Sequence, residues 1–187
     1  MKHNKITITC FLLLSLCCHV PASFGLESDP DQPITIDSNT ATYDDASGTS
    51  TYTGNVISVQ GSIRINSEKL VVYFVNGEAD KMVFTGNKAK FKQTPNEGEE
   101  DITGEALTGE YYPKQNLMVL IKEATVWHGN GTYSSDRIEY NSKTSVVKAG
   151  EKSSDAKRVH VLLKPKQTPE AKNNDNASGK KPDQNLQ

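Results

Sequence analysis

From Pro33 to Gly150 apolar and polar residues alternate with a period of two. Ile34 and Ile36 fall on one side of the chain, Thr35 and Asp37 on the other. Ile63 and Ile65 pair in the same way, and Leu70, Val72 and Phe74 alternate with Val71 and Tyr73. Met82 with Phe84, Ala89 with Phe91, and Leu117 with Val119 and Ile121 continue the pattern. A backbone that sends successive side chains to opposite faces is a strand with one face turned from water. Turn chemistry separates the runs: Asp44 to Gly48, Asn76-Gly77, Asn96 to Gly98, Pro113 to Asn116, Gly129 to Gly131 and Asn141 to Lys143. Asn-Gly between two apolar runs is the strongest of these hairpin signals. No stretch holds a 3.6-residue period between capping residues, so the chain reads as all-β.

A phrase recurs within this pattern. Ile36-x-Ser38-x-x-Ala41-x-Tyr43 is followed by Ile65-x-Ser67-x-x-Leu70-x-Val72, then Ile102-x-Gly104-x-x-Leu107-x-Gly109, then Tyr133-x-Ser135-x-x-Ile138-x-Tyr140. Two copies are accompanied by a second phrase, Thr53-Gly54-Asn55 and Thr85-Gly86-Asn87. Repetition at about 30 residues marks a stacked or wound β structure, one supersecondary unit per repeat. Each strand supplies one apolar row and no helix is available to cover it. The rows must close on one another as a sandwich, a jelly roll or a wound sheet.

Two readings of the interior follow. It is a plain β core, or it is a groove that admits something apolar. The small residues Ala41, Gly54, Ala89 and Ala124 in the row favour the second. A wound sheet that does not close also leaves edge strands, here Ile34 to Asp37 and Val159 to Leu163. Such edges invite pairing with another copy, and an end-to-start contact is heterologous, growing into rods. Against this, Pro33 and flanking charges could block the pairing.

The chain has 187 residues, enough for one domain with extensions. Residues 1–25 carry basic Lys2, His3 and Lys5, an apolar run from Ile6 to Val20, and small residues for cleavage after Ala22 or after Gly25. That is the pattern of a secretory signal. Cys10, Cys17 and Cys18 all lie within it, so the remainder has no cysteine. Leu16 before Cys17 argues against a lipid anchor. An exported domain without disulfides fits the bacterial periplasm better than a eukaryotic secretory route. The expected organisation is a signal (1–25), a β domain (26–165) and a Lys/Asn-rich disordered tail (166–187).

The net charge of -2 is uneven. Leu26 to Gly150 holds 11 basic and 18 acidic residues, whereas Glu151 to Gln187 holds 8 and 5. An acidic body excludes nucleic acid as the natural partner, because phosphate binding needs a clustered basic face. The basic tail is a solvated end or a contact for anionic headgroups. No catalytic constellation can be assembled, and neither a metal nor a cofactor is expected. His128 and His160 stand apart, and the acidic run Glu97, Glu99, Glu100, Asp101 lacks the alternation and glycine of a calcium loop. Trp127 reads as core or rim packing before it reads as a ligand platform.

The ordered set Asp31-Gln32-Pro33-Ile34, Ile36-x-Ser38-x-x-Ala41, Tyr52-Thr53-Gly54-Asn55-Val56, Ile65-x-Ser67-x-x-Leu70 and Arg158-Val159-His160-Val161-Leu162 resembles the OstA-like family of periplasmic lipopolysaccharide-transport proteins. The resemblance covers about Asp31 to Leu163. It implies an antiparallel, twisted, open V-shaped β-jelly roll with a hydrophobic interior and no catalytic residues. It further implies head-to-tail stacking of copies between an LptC-like inner-membrane protein and an LptD-like outer-membrane protein. On this reading the acyl chains of lipid A lie along the inward row. Its expected lining is Ile34, Ile36, Ile63, Ile65, Leu70 and Val72, then Phe84, Phe91, Leu117, Val119, Ile121 and Tyr140. The long polar tail is a departure from the family. The alternatives are a soluble periplasmic β-domain that binds a protein or polysaccharide without lipid, and a wound-sheet carbohydrate enzyme. The latter needs carboxylates at repeat spacing, and none recur.

Overall fold

The computed structural model describes residues 29–95, 99–151 and 158–165. The expected signal and polar tail lie outside the described residues. Among the described residues ten strands follow one another: β1 (Ile34–Asp37), β2 (Thr40–Asp44), β3 (Thr49–Gln60), β4 (Ile63–Val75), β5 (Glu78–Gln93), β6 (Ile102–Tyr112), β7 (Leu117–His128), β8 (Gly131–Asn141), β9 (Val146–Ala149) and β10 (His160–Leu163). Short 3-10 turns span Asp29–Asp31 and Pro113–Gln115. Every one of these pairings is antiparallel. The order is β1-β3-β4-β5-β6-β7-β8-β10, with β2 also on β3 and β9 also on β8. Among the described residues the sheet does not close, since β1 and β2 form no ladder with β9 and β10.

The hairpins form where the sequence supplies left-handed residues. Asn76 and Gly77 both have positive φ, 54° and 81°, and turn the chain between paired Val75 and Glu78. That is the geometry that matches the twist of a two-residue hairpin.

The long strands are not straight. Register shifts interrupt β3/β4 between Thr53 and Val56, β4/β5 between Asn66 and Lys69, and β5/β6 between Thr85 and Ala89. They recur in β6/β7 between Glu105 and Thr108 and in β7/β8 between Ile121 and Ala124. Bulges bend the strand that carries them, and here they line up across five ladders into one crease. Gly54 and Asn55 (φ 85° and 46°), Lys88 (64°), Lys122 (64°) and Glu123 (52°) supply positive φ along it. The crease divides the sheet into two halves. One holds β1, Val56–Gln60, the start of β4, the end of β5, the start of β6, the end of β7, the start of β8, and β10. The other holds β2, the remaining parts of those strands, and β9. The halves face each other: Phe91 of the first stacks on Tyr140 of the second, 6.0 Å between ring centroids.

The recurrent phrases are the crease. Ser67 and Ser135 sit at it, and Thr53-Gly54-Asn55 and Thr85-Gly86-Asn87 are two of its bends. The third copy lies two residues later than the sequence phrase places it. Cross-strand partners run Tyr52, Leu70, Phe84, Gly109, Leu120, Ile138, Ala149, so Gly109 and not Leu107 matches Leu70 and Ile138. A parallel row in the other half runs Ile36, Ser58, Ile65, Phe91, Gly104, Val126, Tyr133, Val161. These two rows, with their neighbours, face inward and form the core.

Candidate functional site

The interior between the half-sheets is a continuous apolar feature, and it is built strand by strand. Of the expected lining, Ile63, Ile65, Leu70, Val72, Phe84, Phe91 and Tyr140 are buried in the core. Ile34 and Ile36 are half-buried against it. Leu117, Val119 and Ile121 are not part of the lining: they point to the opposite face. Val119 is cross-strand from Glu110 and Glu139, and Ile121 is opposite Thr108 and Arg137. The run from Leu117 to Ile121 is apolar at every position, so alternation alone does not choose its face. Pairing chooses it, bringing Met118 and Leu120 inward beside Tyr111 and Gly109. Val56, Met82, Ile102, Val126 and Ile138 belong to the same core.

The small residues of the row have a different cause from the one expected. Ala89 pairs with Ala106, and Ala124 with Ser135, all next to the crease where the halves converge and room is least. Gly104 and Gly109 are small because aromatic rings lie over them. A Cβ on Gly109 would collide with the ring of Phe84, and one on Gly104 with the ring of Phe91. The interior as it stands is filled by its own side chains in the middle. A void of about 10 Å³ among Ile63, Phe91, Tyr111 and Tyr140 is smaller than a methylene chain needs.

The ends are open. Tyr43 of β2 is 62% exposed, and on β10 the inward-row residues Val161 and Leu163 are 45% and 64% exposed. On the β1 side a cleft of about 660 Å³ opens between Ile34 and Gln60 of one half and Phe74, Ala79 and Pro113 of the other.

The lips opposite the crease carry the polar groups. Tyr111 donates its hydroxyl proton to Gln60 Oε1 at 3.0 Å, tying one half to the other. Gln60 Nε2 donates to the carbonyls of Pro30 and Gln32, both at 3.0 Å. Burial, with the nearby Asp29 carboxylate, pushes the Tyr111 phenol well above its usual range. The same causes, burial first, push Tyr140 up to about 12. Both stay neutral donors at physiological pH. On the outer surface Asp101 is held below its usual value by Lys92, 2.6 Å away, and by Thr94. No group of three or more His, Cys, Asp or Glu among the described residues is placed to hold a metal. Trp127 is outward-facing and part-exposed at the rim.

A single antiparallel sheet creased into two facing halves, apolar inside and, among the described residues, unpaired at both ends, is an open β-jelly roll. The chain belongs to the LptA family: residues 35–146 match the family described as LptA/(LptD N-terminal domain) LPS transport protein. Over 174 residues it is 33% identical to the lipopolysaccharide export system protein LptA of Escherichia coli (strain K12), covering 92% of each chain. It is 28% identical over 150 residues to the lipopolysaccharide export system protein LptH of Pseudomonas aeruginosa, covering 77% of this chain and 86% of that one. The crystal structure of LptH, the LptA-homologous periplasmic component of the lipopolysaccharide transport device of P. aeruginosa, superposes with a TM-score of 0.69 at 26% identity. The match covers 74% of this chain and all of that one.

Proposed function

We propose that this protein is a periplasmic carrier of lipopolysaccharide that catalyses no reaction. It takes the acyl chains of lipid A between its half-sheets. Copies stack with the β9/β10 end of one on the β1/β2 end of the next, so that the interiors join. The stack spans from an LptC-like protein at the inner membrane to an LptD-like protein at the outer membrane. The chain reaches the periplasm by the signal at residues 1–25, and residues 26–165 form the carrier domain ahead of the polar tail (166–187). The observation that supports this most directly is the pair of inward rows running from one unpaired end of the sheet to the other, with apolar residues exposed at both mouths.

Each methylene shielded from water is worth about 0.8 kcal/mol, so several acyl chains crossing an aqueous space bare would cost tens of kcal/mol. Because the middle of the interior is closed, cargo enters by parting the halves about the crease. Lipid methylenes then pack where the facing side chains had packed on one another. The free energy for directional movement comes from outside this chain.

Site-specific photocrosslinking tests the assignment. A photoreactive residue at Ile65 or Phe91 traps lipopolysaccharide in cells, whereas one at Val119, buried on the opposite face, does not. Equal labelling at Val119 and Ile65 would rule out an interior route, and absence of lipid at every inward position would favour a lipid-free binding domain.

A further inference from the structure

The lips carry a polar cluster that an apolar trough does not require. Ser62 donates to Asp29 twice, from its backbone N–H to Oδ1 at 2.6 Å and from its hydroxyl to Oδ2 at 2.7 Å. Gln93, buried, donates from Nε2 to the same Oδ2 at 2.7 Å. Asp29 belongs to the short turn that precedes β1, so a leader carboxylate occupies a nest of neutral donors on the lip. Deeper in, the Tyr140 ring is 2% exposed and its hydroxyl is buried with no hydrogen-bond partner among the described residues. Tyr140 lines the same narrow void as Gln93 and Tyr111. A buried donor left unsatisfied destabilises a fold, and native structures rarely keep one without a use.

We propose that Ser62, Gln93 and Tyr140 form a subsite for the ester and amide carbonyls that join the acyl chains of a lipid to its sugar head, and that Asp29 fills the acceptor position while the protein is empty. The inference rests on the carrier reading and adds to it the part of the cargo that is recognised. An amphiphile whose chains lie between the half-sheets places its carbonyl junction at the lips, where these donors are. The donors are all uncharged, which suits a carbonyl. When the leader turn withdraws, the Ser62 N–H and Gln93 Nε2 lose Asp29 and take a carbonyl oxygen instead, while the Ser62 hydroxyl keeps the Thr94 carbonyl, 2.9 Å away. Tyr140 gains the partner it lacks.

The test compares two probes on the purified protein: a diacylated glucosamine, and its dialkyl-ether analogue, which has the same chains without carbonyls. Tyr140→Phe removes only the hydroxyl. The variant is expected to be at least as stable as the parent, to bind the diacylated probe about five- to tenfold more weakly, and to bind the ether unchanged. Equal loss for both probes, or no loss for either, overturns the subsite. Asp29→Ala, with its fold checked by circular dichroism, is expected to bind the diacylated probe more tightly because the internal competitor is gone. Weaker binding overturns the proposal. If neither probe binds the unaltered protein, the carrier reading fails and the subsite fails with it.

Discussion

Phe84→Ala is the substitution that best separates a filled core from a core that yields to lipid. Phe84 is fully buried and the far end of its ring sits over Gly109, which has no side chain to fill the space the ring would leave. Truncating a buried phenylalanine costs about 3–5 kcal/mol, the upper end where the site cannot collapse. At roughly 3 °C per kcal/mol for a domain of this size, the melting temperature of the lipid-free protein falls by roughly 9–15 °C. Five or six methylenes of an acyl chain would occupy the space of the lost ring and restore about 4–5 kcal/mol at about 0.8 kcal/mol each. Saturating lipopolysaccharide is therefore expected to recover most of the lost stability in the variant, and to raise its melting temperature further than it raises the parent's. Val119→Ala supplies the control. It removes buried apolar volume from the opposite face, so its destabilisation is the same with and without lipid. The assay is a thermal melt followed by circular dichroism, with and without lipopolysaccharide. If Phe84→Ala is destabilised equally in both conditions while the parent still binds lipid, then acyl chains do not occupy the space between the half-sheets and the reasoning is refuted.

Further expectations concern packing, charge and assembly. Gly109→Ala drives a methyl group into Phe84 and should destabilise the fold to denaturant by about 2 kcal/mol, with Phe84→Leu as a partial second-site rescue; an unchanged midpoint would mean the ring does not lie over this glycine. Tyr140 titrates at about 12 in the fold, against about 10 for an unfolded phenol. Its folded pKa is raised, so its contribution is whole below about pH 10 and is lost as pH climbs towards 12. Tyr140→Phe should move the alkaline unfolding midpoint upward, and no movement would contradict the burial assigned to the phenol. Leu163→Asp places a charge in the exposed mouth at β10 and should abolish concentration-dependent growth of assemblies in light scattering; growth undiminished would argue against stacking through that end.

Much of the fold is readable from residue order, and the places where that reading fails have one physical origin. Alternation at Ile63-Ile65 locates inward side chains because Ser62, Arg64 and Asn66 flank them and settle the face; at Leu70-Val71-Val72 and Met82-Val83-Phe84 the valine in between makes the alternation weaker. In Leu117 to Ile121 five apolar residues in a row leave the face undecided, and only the ladder to Gly109 and Ile138 resolves it. The register shifts change the count by one or two residues, and the crease puts one in every long ladder. A period-two reading carried across it can therefore arrive on the wrong side. The third repeat slips for a related reason: Gly104 and Gly109 both look like the small residue of the phrase, yet one lies under Phe91 and the other under Phe84. The polar lips are not legible at all. Asp29 and Gln93 are 64 residues apart, and nothing in either neighbourhood points to the other. The edge strands are legible, since Pro33 before Ile34 and Pro165 after Leu163 frame both.

Because the bend is made within strands and not between them, the sheet behaves like a book whose spine keeps every page attached. Opening it separates the facing pages and leaves the hydrogen-bonded ladders whole. Cargo of different girth can then be admitted by changing one angle, shared among all the strands, without any strand having to let go of its neighbour.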